Sequence, residues 1–346
     1  MIPIQNIYYM LSYAFQVLNE QGYKNIATEQ FNNTGELMAA ILEKGIAIQL
    51  KRGLGKEYIP QTEALSSLRG KIDIAESIKT QSMLRKQLIC TYDEFSVNSI
   101  MNRIIKSTVE LLLRSNISKQ RKKNLRKLMV YFSEVDFIDL YTVNWNVQYN
   151  RNNQTYRMLI SICYLVVKGL LQTQSNGHTK LMDFLDEQRM CRLYEKFILG
   201  YYRREFKNQI TANASQIPWQ LDNEENSMLP VMQSDIMLQS GEKVLIIDAK
   251  YYEHSTQVQF DKHTLHSGNL YQIFTYVKNK EYELREKDHT VSGMLLYAKT
   301  DEAIYPNNVY QMSGNQITVR TLDLNLPFDE ICLLYTSDAA DDTPCV

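Results

Sequence analysis

The chain is poor in cysteine, and none of its cysteines are spaced for joint chemistry. Cys90, Cys163, Cys191, Cys332 and Cys345 form no Cys-x-x-Cys pair. That excludes a zinc ribbon or a dithiol redox motif, and the odd, scattered set points to reduced thiols in a cytoplasmic protein. Cys163 and Cys191 fall in apolar helical patterns and read as core. No apolar run reaches the roughly 18 residues of a membrane span. The start, Met1-Ile2-Pro3-Ile4-Gln5-Asn6, lacks the basic stretch of a secretion signal, the first lysine being Lys24. A soluble cytoplasmic protein with no membrane partner is expected. There is also no surplus of positive charge: a formal net charge of −1 excludes a general basic coat for nucleic acid, so any such contact must come from local patches or through a partner. No G-x-x-x-x-G-K-[ST] occurs, so the chain has no phosphate loop of its own; Gly53-Leu54-Gly55-Lys56 reads as a turn between a helix and a strand. Internal repeats and low-complexity tracts are absent as well.

What is present is an ordinary globular composition, 44% hydrophobic and 22% charged over 346 residues, enough for two domains. Asn6 is placed to cap a helix carrying Ile7, Met10, Leu11, Ala14 and Phe15, and a second helix over about 36–49 is expected to pack against it. Residues 57–78 turn to short β-like runs broken by Pro60, Ser66-Ser67 and Gly70, and 88–92 reads as another strand. A helix opening at Asn98, a basic helix over 119–127 and a long apolar helix over 156–171 follow. The segment 172–179, with the turn formers Ser175, Asn176 and Gly177, reads as a linker, dividing a domain of residues 1–175 from one of 180–331. The second half gives a helix over 186–206, strands near 210–220, 230–239 and 243–252, a helix over 269–278, and strands near 292–299 and 309–324. That order describes an α/β or α+β domain with a central mixed sheet flanked by helices. At the far end, Cys332-Leu333-Leu334-Tyr335-Thr336-Ser337-Asp338 resembles the translation of a transposase adaptor used in sequencing libraries, so 332–346 is expected to be non-native.

The chemistry concentrates between residues 195 and 276. Val244-Leu245-Ile246-Ile247-Asp248-Ala249-Lys250 has the continuous apolar run of a strand buried on both faces, and alternation puts Asp248 and Lys250 on one side. Asp235 lies on the preceding strand, within reach of the same spot. Two converging carboxylates bind Mg²⁺ through hard oxygen ligands, and a neighbouring ammonium orients water or offsets charge on a scissile phosphate. Glu195 sits on the upstream helix, and Gln272 and Tyr276, four residues apart, share a face of the downstream one. For Glu195 a surface i,i+4 partnership remains an alternative, and for Tyr276 core packing does.

On these residues the chain resembles the McrC family, the nuclease subunits of McrBC modification-dependent restriction systems, whose C-terminal domains are PD-(D/E)xK nucleases. The resemblance includes Ile4-Gln5-Asn6-Ile7-Tyr8-Tyr9-Met10-Leu11, Asn102-Arg103-Ile104-Ile105-Lys106, Leu229-Pro230 leading to Asp235-Ile236, Ile247-Asp248-Ala249-Lys250-Tyr251-Tyr252 and His266-Ser267-Gly268-Asn269-Leu270-Tyr271-Gln272; only 332–346 falls outside it. Ser234 stands where the family's first motif has proline. The resemblance implies that Asp235 and Asp248 are Mg²⁺ ligands, that Lys250 positions the attacking water or stabilises the transition state, and that Glu195 is a further ligand, with Gln272 and Tyr276 in support. It also implies a partner: a hexameric McrB-like AAA+ GTPase, which binds the GTP and recognises double-stranded DNA carrying modified cytosine such as 5-methylcytosine. The N-terminal region would dock on that partner and stimulate its GTPase, with 57–78 as the projecting element.

Two rival readings remain: a non-catalytic adaptor that only activates the motor, and a repair nuclease of the RecB group, which shares the Gln-x-x-x-Tyr element. His263 and His266 lack a third ligand and read as a polar loop ahead of a helix. The cations of 119–127 read first as a solvated helix face, with DNA or a partner as the alternative.

Overall fold

The computed structural model describes residues 2–19, 23, 26, 29, 31–151, 153–175, 187–222, 228–252, 257–259, 262–299 and 305–331. The adaptor-like tail and residues 176–179 of the expected linker lie outside that set, while residues 172–175 of that linker are the last turn of a helix. Two compact units result, one of Asn32–Phe184 and one joining Met1–Phe31 to Leu185–Val346. The first helix, α1 (Ile4–Ala14), therefore belongs with the C-terminal half, whereas the sequence reading grouped it with residues 32–175.

In the unit Asn32–Phe184, α2 (Thr34–Arg52) opens at Asn33, whose side chain accepts from Glu36 N at 2.9 Å, and stops at Gly53, where φ is +89°. Glycine takes that backbone without strain, so the turn after the helix is set by one residue. A three-stranded antiparallel sheet follows in the order β1-β3-β2, from β1 (Glu57–Leu65), β2 (Lys71–Asp73) and β3 (Leu88–Ser96). Not all of the expected β segment is strand: Ile74–Lys79 forms a short helix, α3, because Asp73 Oδ1 caps it by accepting from Glu76 N. Then come α4 (Ile100–Arg114), α5 (Lys119–Met129) and α6 (Tyr156–Ser175), the first two capped by Ser99 and Ser118.

The core of this unit is apolar around one polar knot. Ile41, Leu42, Ile104, Ile105, Val109, Leu112 and Ile162 are buried. Among them the Tyr156 hydroxyl donates to Asn102 Oδ1 and accepts from Gly55 N, both at 2.7 Å. Asn102 Nδ2 in turn donates to Gly55 O at 2.9 Å and Val97 O at 2.8 Å. Two helices and the loop leading to the sheet are thus joined with every polar atom of the knot in use, the condition under which a buried network stabilises a fold.

The other unit is built on a six-stranded mixed sheet in the order β12-β13-β11-β8-β7-β4. Its strands are β4 (Thr211–Asn213), β7 (Ile236–Ser240), β8 (Lys243–Lys250), β11 (Thr290–Ala298), β12 (Asn308–Met312) and β13 (Asn315–Leu322); β8, β11 and β13 run parallel. Short pairs β5 (Gln216–Ile217) with β6 (Met232–Gln233), and β9 (Gln257–Gln259) with β10 (Lys262–Thr264), lie beside it. The stretch expected as strand over 309–324 is a hairpin, β12 to β13, turning at Ser313 and Gly314 with positive φ. Helix α7 (Glu187–Glu205) lies against β7 and β8, and α8 (Ser267–Glu283) against β8 and β11. The seat of α8 is tight at Gly293, where an added Cβ would come within 2.8 Å of Ile273 and 2.9 Å of Val277.

Helix α1 packs on α7 rather than on its sequence neighbour. Tyr13 contacts Phe197 and Tyr201, its hydroxyl donates to Glu205 Oε1 at 2.8 Å, and Tyr9 stacks on Phe328 with centroids 4.4 Å apart. Gly200 allows the approach, since a Cβ there would sit 2.2 Å from the Tyr13 carbonyl oxygen. Asn6 is no cap: it is buried inside the helix, and its Nδ2 donates to Leu324 O at 2.7 Å and Leu326 O at 2.8 Å. The helix instead starts after Pro3, whose carbonyl accepts from Asn6 N at 2.9 Å and Ile7 N at 3.2 Å.

Candidate active site

Strand β8 explains where the acids meet. Val244 to Ala249 are all buried, so the strand is covered on both faces. Val244 and Ile246 pack with Ile273 and Val277 of α8, and alternation puts Asp248 and Lys250 on that same side. Asp248 is 2% exposed, an expensive place for a carboxylate. Its counter-charge is Lys250, whose Nζ lies 2.7 Å from Asp248 Oδ2. At that distance the ammonium compensates the Oδ2 charge, and the carboxylate in turn holds Lys250 in its charged form.

Asp235 precedes β7, and since Ile236 pairs with Ile247, it comes level with Asp248 on the neighbouring strand. Its Oδ2 accepts from Ala249 N at 2.9 Å. Burial, then the adjacent Asp248 and Glu195, push the Asp235 carboxyl well above the usual carboxylate range. Ser234, in the place of the family's proline, is fully buried and makes bonds that proline lacks, its N–H donating to Ser215 O at 3.0 Å and its hydroxyl to the same oxygen at 3.1 Å. The strand end carrying Asp235 is fixed by serine.

Glu195 reaches the cluster from α7. Burial raises its carboxyl, Lys250 lowers it and Asp248 raises it, so it lies within the field of both. Cys191, one turn earlier, donates its thiol to Glu195 Oε1 at 3.2 Å. That corrects the reading of Cys191 as core: it is half-buried at the site, and burial followed by the Glu195 charge pushes its thiol up to about 12. The thiol stays protonated at neutral pH and is no nucleophile. Cys163 is fully buried.

Helix α8 completes the group. Burial works against the Lys250 ammonium, but Asp248 outweighs it and the group remains charged. Lys250 Nζ donates to Gln272 Oε1 at 3.3 Å, and Gln272 Nε2 to the Tyr276 hydroxyl at 3.0 Å. All six residues singled out in the sequence thus fall at one end of β8. As they stand, no three His, Cys, Asp or Glu side chains among the described residues are close enough to hold a metal ion together. The donor chemistry nevertheless fits one: Asp235 and Asp248 come level on neighbouring strands with Glu195 nearby, and carboxylate oxygens are the ligands a hard divalent cation takes.

Three further residues escaped the sequence reading. Asn269 accepts from the Tyr252 hydroxyl at 3.2 Å and donates to the Tyr297 hydroxyl at 2.9 Å. Tyr297 is fully buried and pairs across the sheet with Lys250, and Tyr252 is two residues beyond it. Asn269 lies three residues before Gln272, so its face was legible, but its partner on β11 was not. His266 caps α8 with no side-chain bond to the helix, its ring 5.3 Å from Tyr252; the His263 side chain falls outside the described residues. A cavity of about 460 Å³ opens at the opposite end of β8 and β11, lined by Lys243, Thr290 and Gln316, away from the acids.

The family described as McrBC 5-methylcytosine restriction system component matches residues 5–298. The chain is 30% identical over 329 residues to the Type IV methyl-directed restriction enzyme EcoKMcrBC of Escherichia coli (strain K12), covering 93% of each. Among solved structures it is similar to a chain of the half-complex of Thermococcus gammatolerans McrB AAA+ hexamers with bound McrC, with a TM-score of 0.47 and 18% identity over 97% of this chain and 76% of that one. A second, from the cryo-EM structure of the McrBC complex of the same organism, gives 0.41 and 23% over 59% of each.

Proposed function

The chain belongs to the family of McrBC 5-methylcytosine restriction system components, and from that membership we propose that it is the DNA-cutting subunit of such a system. The observation that carries this reading is the meeting of Asp235, Asp248 and Lys250 at the end of a buried strand, with Glu195 beside them. Gathering a buried acid, two half-buried ones and an ammonium works against folding, and a phosphodiester hydrolase has a use for each. Asp235 and Asp248 would hold Mg²⁺, with Glu195 as a further ligand. When bound, such an ion supplies Lewis acidity and an activated water. Lys250 keeps a fixed positive charge where the scissile phosphate gains negative charge, and electrostatic preorganisation of that kind is commonly the largest catalytic contribution. Gln272, itself held by Tyr276, aims the ammonium.

Target choice and power come from elsewhere, since no phosphate loop is present in the sequence. The partner is an AAA+ GTPase of the McrB type acting on double-stranded DNA with modified cytosine, in line with what the relatives are named for. The docking element is the sheet β1-β3-β2 with its short helices, where Tyr58, Leu68, Ile74, Ile78, Met83 and Leu84 are exposed. So many apolar side chains in solvent on the segments around one small sheet mark a contact surface. A folded chain lacking 57–78 should bind and stimulate the GTPase poorly; undiminished stimulation removes the assignment.

The deciding experiment mixes this chain with the AAA+ GTPase, GTP and Mg²⁺ on methylated and unmethylated plasmid, beside Asp248→Ala. Cutting that needs methylation, GTP and Asp248 is the expected result. GTPase stimulation with no cutting by either protein favours a non-catalytic activator.

A further inference from the structure

Helix α5 carries an unbalanced charge that the fold does not use. From residue 111 to residue 133 there is no acid, while Arg114, Lys119, Arg121, Lys122, Lys123, Arg126 and Lys127 are all cationic. Arg121 is accounted for: it faces inward to Glu36 and Glu43, beside Asn124, which also bonds Glu43, and the buried Leu125. The other five on the helix line its outer side, and among the described residues none of them has a carboxylate partner. Their spacing makes matters worse. Lys119 with Lys123, Lys122 with Arg126, and Lys123 with Lys127 are i,i+4 pairs of like charge, which repel. Lys119 and Lys122 also stand in the first turns, where the helix dipole favours anions. Helix α5 is therefore less stable than its inner face alone would make it. A surface helix selected only for folding would mix in glutamates, as α4 does with Glu110 and Arg114.

We propose that the outer face of α5 is a binding surface for the phosphate backbone of duplex DNA. The choice of DNA rests on the nuclease reading above; the need for a polyanion rests on the helix itself. Successive i,i+4 cations are about 6 Å apart along a helix axis, so Lys119, Lys123 and Lys127 form a row that follows a line of phosphates rather than one point charge. Such contacts position DNA without reading its sequence. A net charge of −1 confines non-specific DNA affinity to a patch of this kind.

The test is fluorescence anisotropy of the full chain, alone, on a labelled duplex in EDTA across a salt series, so that no cutting is needed. The variant Lys123→Gln/Arg126→Gln/Lys127→Gln is compared with a control that removes three exposed cations from the other unit, Lys207→Gln/Lys243→Gln/Lys287→Gln. The α5 variant should weaken binding and flatten the plot of log affinity against log salt by about 0.9 for each phosphate no longer neutralised. Its melting temperature should rise as the repulsion is relieved, which a purely structural role would not produce. Equal slopes for the two variants, or no duplex binding by the parent chain, overturn the proposal. Unchanged DNA binding with weakened assembly on the GTPase also overturns it, in favour of an acidic protein surface. If the parent chain and its partner cut methylated plasmid while either result is obtained, only this proposal falls; if they cut nothing, the nuclease reading falls separately.

Discussion

Among the described residues each compact unit holds a buried polar cluster, and these two are built on opposite terms. The knot of Asn102, Tyr156 and Gly55 is neutral, and each of its donors and acceptors is used. The cluster of Asp235, Asp248, Glu195 and Lys250 is charged and crowded with acids, so that burial and its neighbours push the Asp235 carboxyl up. Buried polar groups of the first kind hold a fold in one arrangement; groups of the second kind raise its free energy until something binds them. The difference separates architecture from chemistry without reference to any relative.

Substitutions can break the comparison, and the largest effect belongs to the site. Asp248→Ala should reduce plasmid cutting to background while partner binding and GTPase stimulation stay near normal; Asp235 and Glu195 remain to balance Lys250, so the melting temperature should move little. Lys250→Ala should cost about a hundredfold or more in cutting rate. It should also lower the melting temperature in EDTA, because three acids then face each other with no cation. Asn102→Ala should do the reverse, leaving the active-site chemistry intact while orphaning Tyr156 and two backbone carbonyls. At about 1–3 kcal/mol for each buried group left unsatisfied, a denaturant melt should register a loss of several kcal/mol.

Smaller effects sharpen the contrast. Because the Asp235 carboxyl titrates above its unfolded value of about 3.9, the folded state holds that proton more tightly. Its contribution to stability is therefore fully present at low pH and lost as pH rises through the raised value. The metal-free protein should lose stability over that window, and Asp235→Asn should flatten the loss; an unchanged pH profile contradicts the crowding described here. Smallest of all, Tyr297→Phe should keep the fold and reduce cutting by less than tenfold, through a looser Asn269.

The legible part of the site followed from local rules. Alternation put Asp248 and Lys250 on one side, and helical spacing put Gln272 and Tyr276 on one face. What stayed hidden depended on partners distant in sequence. Nothing near Tyr297 indicates that it meets Asn269, since that requires β11 to lie beside β8. Cys191 looked like core because its neighbours are apolar, although its four-residue spacing from Glu195 was visible. In the fold, Asp73 turned an expected strand into α3, and Asn6 had the chemistry of a cap but was claimed by a carbonyl pair at the other end of the chain. Capping preferences say what an asparagine can do locally, and tertiary hydrogen bonds decide what it does.

That last pairing sets the order of events during synthesis. Asn6 finds its acceptors 318 and 320 residues later. At about 5–20 residues per second a ribosome needs roughly 15–60 s to make that stretch. An eleven-residue helix is marginal by itself in water, so α1 must wait, unpaired, while Asn32–Phe184 has time to fold within the loop it will close. The carbonyl anchor of α1 is thus among its last contacts to form, and an interruption of translation before α7 is made leaves its apolar face to whatever chaperone or neighbour reaches it first.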